Sequence, residues 1–294
     1  MSELQSLRAG LLELLKLLDE EQCPLILGGG YGLFLRRERL QRLGTRTLLT
    51  SWPESRSTND LDLFLYPEVL CDSGRVVLLK QAIEQLGYKP IPGCEYYQFR
   101  KDDPEGNIQR GLKIDLLTGP ESVFQGQSVK ADGRRVRPRP KVQLHAHPTN
   151  EAVSLEDHLE RIELQTSSLA SSDRSFESVA AHIYLPHPFT YAVMKLFAFR
   201  DRIPDSSQDH GSHHSLDLYS IIAMMTEIQW EQSLEMRRKY QGEPAVVEAV
   251  EIVKDLFLSP DSQGMLILRG NPYCSSALQL EDFRTTLLEL FGVS

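Results

Sequence analysis

Ten residues, Arg56-Ser57-Thr58-Asn59-Asp60-Leu61-Asp62-Leu63-Phe64-Leu65, limit the fold more than any other part of the chain. They read as a short strand in which two carboxylates interrupt an apolar run. Side chains alternate faces along a strand, so Asp60 and Asp62 point one way while Leu61, Leu63 and Leu65 take the other. Arg56 and Thr58 alternate onto the aspartates' own face. Two acids beside each other on a half-buried strand resist ionising together unless something compensates, and a divalent cation is the usual compensation. The plain alternative is an edge strand whose solvent face carries two aspartates.

The surrounding chain narrows the choice. Its 294 residues suffice for one large or two medium domains with real cores, and 41% hydrophobic with 25% charged residues is ordinary globular composition. No run approaches 18 apolar residues, so no membrane span is expected. Ser2 to Glu21 places Leu4, Leu7, Leu11, Leu14, Leu15 and Leu18 at helical spacing among charges, an amphipathic helix and no signal peptide. Cys23, Cys71, Cys94 and Cys274 form no C-x-x-C pair; a reducing cytoplasm fits them better than a disulfide or zinc framework. A net charge of −9 argues against coating by nucleic acid over the whole surface. Two basic runs stand out locally, Arg36 to Arg46 and Lys130 to Lys141, either solvated faces or phosphate contacts.

Taken in order, Pro24 to Leu27 reads as a buried-type strand running into the glycine turn Gly28-Gly29-Gly30-Tyr31-Gly32, with a helix from Leu33. Strand, glycine turn and helix N-terminus together offer backbone N–H groups and a positive dipole end to an anion. The spacing fits neither G-x-G-x-x-G nor G-x-x-x-x-G-K-[ST]. After the aspartate strand come a helix over Val76 to Leu86, a strand over Tyr96 to Arg100, and a strand Leu112 to Leu117 in which Lys113 shares a face with Asp115. A weaker stretch follows, with an expected strand Lys141 to His145, a helical piece Leu155 to Leu164, a Ser-rich loop Ser167 to Ser175 and a strand Val179 to Tyr184. Beyond Pro188 the pattern is helical, over Thr190 to Arg202, Leu216 to Ile228, Ala245 to Leu258 and Leu280 to Leu290. The expected fold class is therefore α+β, with a core domain over 1–128, a connecting α/β segment over 129–185 and a mainly helical domain over 186–294.

If the two aspartate strands are neighbours, Asp60, Asp62 and Asp115 converge within roughly 5 Å, about the strand spacing. Oxygen ligands in that number suit Mg²⁺ or Mn²⁺, which also bind triphosphate oxygens. Two such ions about 4 Å apart activate an attacking hydroxyl and stabilise leaving pyrophosphate. Asp115 can also serve as the base for that hydroxyl. His210, His213, His214 and the pair His145-x-His147 are read as incidental rather than as a metal set.

Gly29-Gly30, Arg56-x-Thr58-x-Asp60-x-Asp62 and Ile114-Asp115 resemble the minimal nucleotidyltransferase core of the DNA polymerase beta superfamily. Met194-Lys195-Leu196-Phe197-Ala198-Phe199-Arg200-Asp201-Arg202 with Asp217-Leu218-Tyr219-Ser220-Ile221 resembles the C-terminal signature of AbiEii-type nucleotidyltransferases, the toxin members of toxin–antitoxin and phage-defence pairs. The likeness spans roughly residues 20–120 and 186–225. It implies a polymerase-beta-like domain, a small mixed sheet flanked by helices, followed by a helical domain. It implies Asp60, Asp62 and Asp115 as metal-binding and catalytic residues, with Asp115 the base. Gly29 and Gly30 would hold the triphosphate, and Arg56 and Thr58 would contact phosphate. Lys195 would reach the nucleotide, with Asp217 orienting it and Arg200 beside it. The implied cofactor is Mg²⁺ or Mn²⁺, and the implied partners are an NTP, an acceptor RNA or protein and a cognate antitoxin. Departures are the 29 residues between Gly30 and Asp60, Ser220 in place of an acid, and the enlarged histidine-bearing connector. The readings carried forward are an NMP transferase acting on RNA such as tRNA, on protein or on a small molecule such as an antibiotic; a non-catalytic nucleotide-binding regulatory module; and, last, a metal-dependent hydrolase.

Overall fold

The computed structural model describes residues 3–18, 20–54, 58–102, 111–139, 141–164 and 181–293. Arg56, the Ser-rich loop Ser167 to Ser175 and the start of the expected strand at Val179 lie outside these described residues. The class is α+β: a mixed sheet and a set of helices, in two compact units. The first unit comprises Met1–Gly32, Ser57–Thr149 and Leu159–Leu185; the second comprises Leu33–Arg56, Asn150–His158 and Pro186–Ser294. No helix among the described residues is long and apolar enough to cross a membrane.

The first unit opens with α1 (Glu3–Leu17), followed by β1 (Leu25–Leu27) and the first turn of α2 (Gly29–Leu43). Then come β2 (Asp60–Leu65), α3 (Pro67–Cys71), α4 (Ser73–Gln85), β3 (Lys89–Pro90), β4 (Gln98–Lys101) and β5 (Leu112–Thr118). The remaining strands are β6 (Val129–Ala131), β7 (Val136–Pro138), β8 (His147–Pro148), β9 (Glu160–Leu164) and β10 (Ala181–Leu185). The main sheet runs β3-β4-β5-β2-β1-β10-β9, with β8 also paired to β5, while β6 and β7 form a separate hairpin. Strands β2 and β5 are parallel; β1 is antiparallel to β2 and parallel to β10.

One face of this sheet is apolar. Leu61, Leu63 and Leu65 on β2 and Ile114 and Leu116 on β5 are fully buried. Helix α1 covers that face with Leu7, Leu11 and Leu14, a helical spacing, and Gly10 comes close to Leu112, which shares the face of Ile114. Each such leucine contributes about 1.5–3 kcal/mol by leaving water. The face is fixed by the period of two, because a one-residue slip of β2 would drive Asp60 and Asp62 into the leucine layer. The aspartates therefore look the other way.

The second unit holds most of α2 and the helices α5 (Pro188–Arg202), α6 (Ser212–Ala223), α7 (Glu227–Tyr240), α8 (Pro244–Phe257), α9 (Gln263–Gly270) and α10 (Leu280–Phe291). Its core joins Leu33 and Leu49 to Phe189, Leu196, Tyr219, Val253, Phe257 and Phe283, among others. Segment 44–54 is anchored on this bundle: Leu48 and Leu49 donate backbone hydrogen bonds to the carbonyls of Met225 and Ala223.

Several elements differ from expectation for identifiable reasons. Leu155 to Leu164, expected as helix, is a turn followed by β9, whose residues alternate exposed and buried; His158 takes φ 52° just before it. The helix expected over Leu216 to Ile228 is two. Helix α6 stops at Ala223, and Thr226 starts α7 with a capping box closed by Gln229. The strand expected over Lys141 to His145 is instead β8, at His147–Pro148.

His187 caps α5, its Nδ1 accepting the N–H of Phe189 at 3.2 Å. It is 1% exposed, and burial, with Arg36 and His158 close by, lowers its pKa to about 3. Asp157 and Gln232 act weakly the other way. A histidine kept neutral in the folded state stabilises fully above its unfolded value near 6.5, and that stability is lost as pH falls from there toward 3. Urea unfolding should therefore show a decline of about 2 kcal/mol between pH 7.5 and pH 5 that His187→Asn, which keeps a capping acceptor, removes. An unchanged decline in the variant would assign it to other groups.

Candidate active site

The parallel register of β2 and β5 assembles the carboxylates. Asp60 stands opposite Lys113, and Asp62 stands opposite Asp115. Asp62 and Asp115 are thus direct cross-strand neighbours on the face turned away from α1, with Asp60 and Lys113 forming the next row. On the other side of β5, antiparallel β4 sets Gln98 opposite Asp115.

Three acids meet one ammonium here. Lys113 Nζ donates to Asp115 Oδ2 at 2.7 Å, with side chains 27% and 13% exposed. Burial pushes the Asp115 carboxyl above the usual aspartate range, as does the Asp60 charge, while Lys113 and the Gln98 amide pull it back part of the way. For Lys113 burial works against the charge, but Asp115, Asp60 and Asp62 outweigh it and its pKa is raised. Asp115 Oδ1 is buried and accepts no hydrogen bond.

Gly28 and the start of α2 close the other side. The Gly28 N–H donates to the Asp62 carbonyl at 2.8 Å, which ties the strand–helix junction to β2. A Cβ at Gly28 would come within 2.6 Å of the Phe64 ring, and one at Gly29 would lie 1.7 Å from Asp62 Oδ2. Gly29 also has φ +63°. Glycine is therefore required at both positions by close approach, and at Gly29 by conformation as well. The expected glycine turn is in fact the first turn of α2, which begins at Gly29 and includes Gly30. The Asp62 carboxylate lies against this helix N-terminus, where the dipole favours negative charge.

Thr58 sits just ahead of β2, and its Oγ1 accepts the Asp60 N–H at 3.4 Å. In the second unit, Lys195 on α5 and Asp217 on α6 form an ion pair at 2.8 Å, both side chains 10% exposed. Arg200 is engaged elsewhere: it pairs with Asp201 and Glu248 and lies over the Phe197 ring. Lys130 to Arg137 of the second basic run fold into the β6–β7 hairpin, with Arg137 on Asp132 and Arg135 over Tyr96. The ring centroids of His213 and His214 lie 4.0 Å apart with the planes tilted by 45°, and His210 Nδ1 meets the Ile203 carbonyl at 2.8 Å. Among the described residues no three acid, histidine or cysteine side chains stand together as a ready-made metal set.

The donor chemistry still suits a small divalent cation on the β2–β5 face. Three carboxylates share it, and one buried oxygen of Asp115 is unsatisfied, which is costly unless a cation or donor meets it. Gln98 escaped the sequence reading, because strand pairing alone places it beside Asp115 and it leaves no local signal.

No family profile matches the chain, and no curated protein matches it. Among solved structures it is similar to the solution structure of the antibiotic-resistance factor ANT(2'')-Ia, with 14% identity over 83% of this chain and 96% of that one and a TM-score of 0.36. At that TM-score the site has to be argued from this chain's own residues.

Two substitutions test the geometry. Gly29→Ala should cost about 1–3 kcal/mol in urea unfolding, and clearly more than Gly44→Ala, which has a similar left-handed φ of +59° in open space. Equal losses would mean that Asp62 does not press on the helix start. Lys195→Met takes the ammonium away from a buried aspartate and should cost about 3–5 kcal/mol, largely recovered by adding Asp217→Leu; a double variant no better than the single would show the pair is not the source.

Proposed function

We propose that this protein is a nucleotidyltransferase that moves NMP from an NTP to an acceptor hydroxyl and releases pyrophosphate. The observation that carries the reading is the direct register of Asp62 with Asp115 on parallel neighbours, with Asp60 beside them and the glycine-built start of α2 against Asp62. Asp60, Asp62 and Asp115 would hold Mg²⁺ or Mn²⁺, which when bound neutralises phosphoryl charge.

Within this chain, Asp115 takes the proton of the acceptor hydroxyl as its oxygen bonds to the α-phosphorus. The bond from the α-phosphorus to the bridging oxygen breaks, and the electron pair leaves with pyrophosphate. Burial of Asp115 favours this role, since it raises the basicity of its carboxylate. The N–H groups at the start of α2, around Gly29 and Gly30, can receive triphosphate oxygens. Thr58 lies just ahead of the aspartate strand, where a hydroxyl can reach phosphate. Nucleotide roles for Arg56, Lys195, Arg200 and Asp217 rest on the AbiEii-type resemblance alone. So do an RNA or protein acceptor and a toxin-like setting with an antitoxin, while a cytoplasmic location rests on the scattered cysteines.

Incubation with each α-labelled NTP and a cell extract should transfer label to one class of acceptor. Asp115→Asn should lower that transfer by about 10²- to 10⁴-fold, and Asp60→Ala should abolish it. Labelled RNA or protein would match the first reading and a labelled small molecule the antibiotic-type alternative. NTP binding without transfer under any condition would identify a nucleotide-binding regulatory module instead.

A further inference from the structure

The carboxylate face carries a cation of its own. Lys113 and Asp115 alternate onto the same side of β5, and the register sets Lys113 directly opposite Asp60. Its ammonium lies 2.7 Å from Asp115 Oδ2, so one of the two oxygens Asp115 can offer is taken. The other, Oδ1, is buried and meets no hydrogen-bond donor at normal distance among the described residues. Among the described residues no three acids stand together as a metal set, although three aspartates share this face.

A buried carboxylate cannot sit uncompensated next to two others. A single ammonium on a flexible four-carbon stem removes that cost and can withdraw without disturbing the strand that carries it. An arginine would hold both oxygens in a fixed fork.

We propose that Lys113 is a positioning residue that stands in for the divalent cation: it holds Asp115 in place while no metal is bound, and competes with metal for Asp115 Oδ2. This rests on the nucleotidyltransferase reading of the same face. The competition has a definite sign. A positive charge between Asp60 and Asp115 repels an incoming cation and occupies a ligand oxygen, so its removal raises divalent affinity while the metal-free protein loses its internal counter-charge.

The test is Mn²⁺ binding without nucleotide, read from the electron paramagnetic resonance of the free ion, together with thermal unfolding in EDTA and in Mn²⁺. The wild-type protein, Lys113→Met and Lys113→Gln are compared, each with and without Asp62→Asn. Lys113→Gln keeps a donor for Asp115 without the charge and serves if Lys113→Met does not fold. The expected result is Mn²⁺ affinity about tenfold higher without the lysine charge, a larger rise in Tm on adding Mn²⁺ than in wild type, and loss of both with Asp62→Asn. A salt bridge with a merely structural role would lower Tm without raising Mn²⁺ affinity. Wild-type binding that the lysine variants match or fall below would therefore overturn the proposal and leave the metal site standing. Failure of every form to bind Mn²⁺ would overturn both.

Discussion

Like-charge repulsion on one sheet face is the constraint around which the first unit is arranged. Asp60, Asp62 and Asp115 are brought side by side by the parallel pairing of β2 with β5, and that pairing is enforced from behind by the leucine layer under α1. The chain cannot separate the acids without giving up the burial of Leu61, Leu63, Ile114 and Leu116. It supplies two sources of positive potential instead, Lys113 against Asp115 and the N-terminus of α2 against Asp62. Each depends on a local device. Lys113 needs the alternation of β5, and the helix start needs Gly28 and Gly29, because any side chain there would collide with Phe64 or Asp62.

This explains which parts were legible in the sequence. The period of two in Asp60-Leu61-Asp62 and in Lys113-Ile114-Asp115 fixes which side chains share a face, and the leucines fix which face is buried. Adjacency of the two strands is a long-range property; the sequence suggested it only as a condition, and the structure meets it. The glycine segment was recognisable as a strand-to-helix junction, but its boundary was misplaced because three glycines in four residues mask the helix start behind poor helix propensity. Longer errors came from the same source. Leu155, Leu159 and Ile162 stand at i, i+4 and i+7 and mimic helical spacing, while the pairing of β9 with β10 decides the strand. The break between α6 and α7 was written in Thr226 and Gln229, a short-range cap overridden in reading by the apolar run before it.

The Lys195–Asp217 and Lys113–Asp115 ion pairs differ in kind. Lys195 and Asp217 bridge adjacent helices at 2.8 Å, each nearly buried, a lysine matched by an aspartate between elements that already share a packed core. Such a pair holds its helices in register and satisfies itself, and removing one member harms chiefly the fold. Arg200 shows the same economy, being drawn to Asp201 and Glu248 on the surface of its own bundle.

The Lys113 pair is unbalanced. One ammonium faces three carboxylates, is itself more exposed than its partner, and leaves an oxygen of Asp115 buried without a donor. A structural salt bridge gains nothing from surplus charge, since each extra acid adds repulsion that packing elsewhere must offset. Surplus acid with an unsatisfied buried oxygen is a local cost that only added positive charge or a hydrogen-bond donor relieves. The carboxylate face, rather than the better-formed pair in the helical unit, is therefore where this chain departs from what folding alone would select.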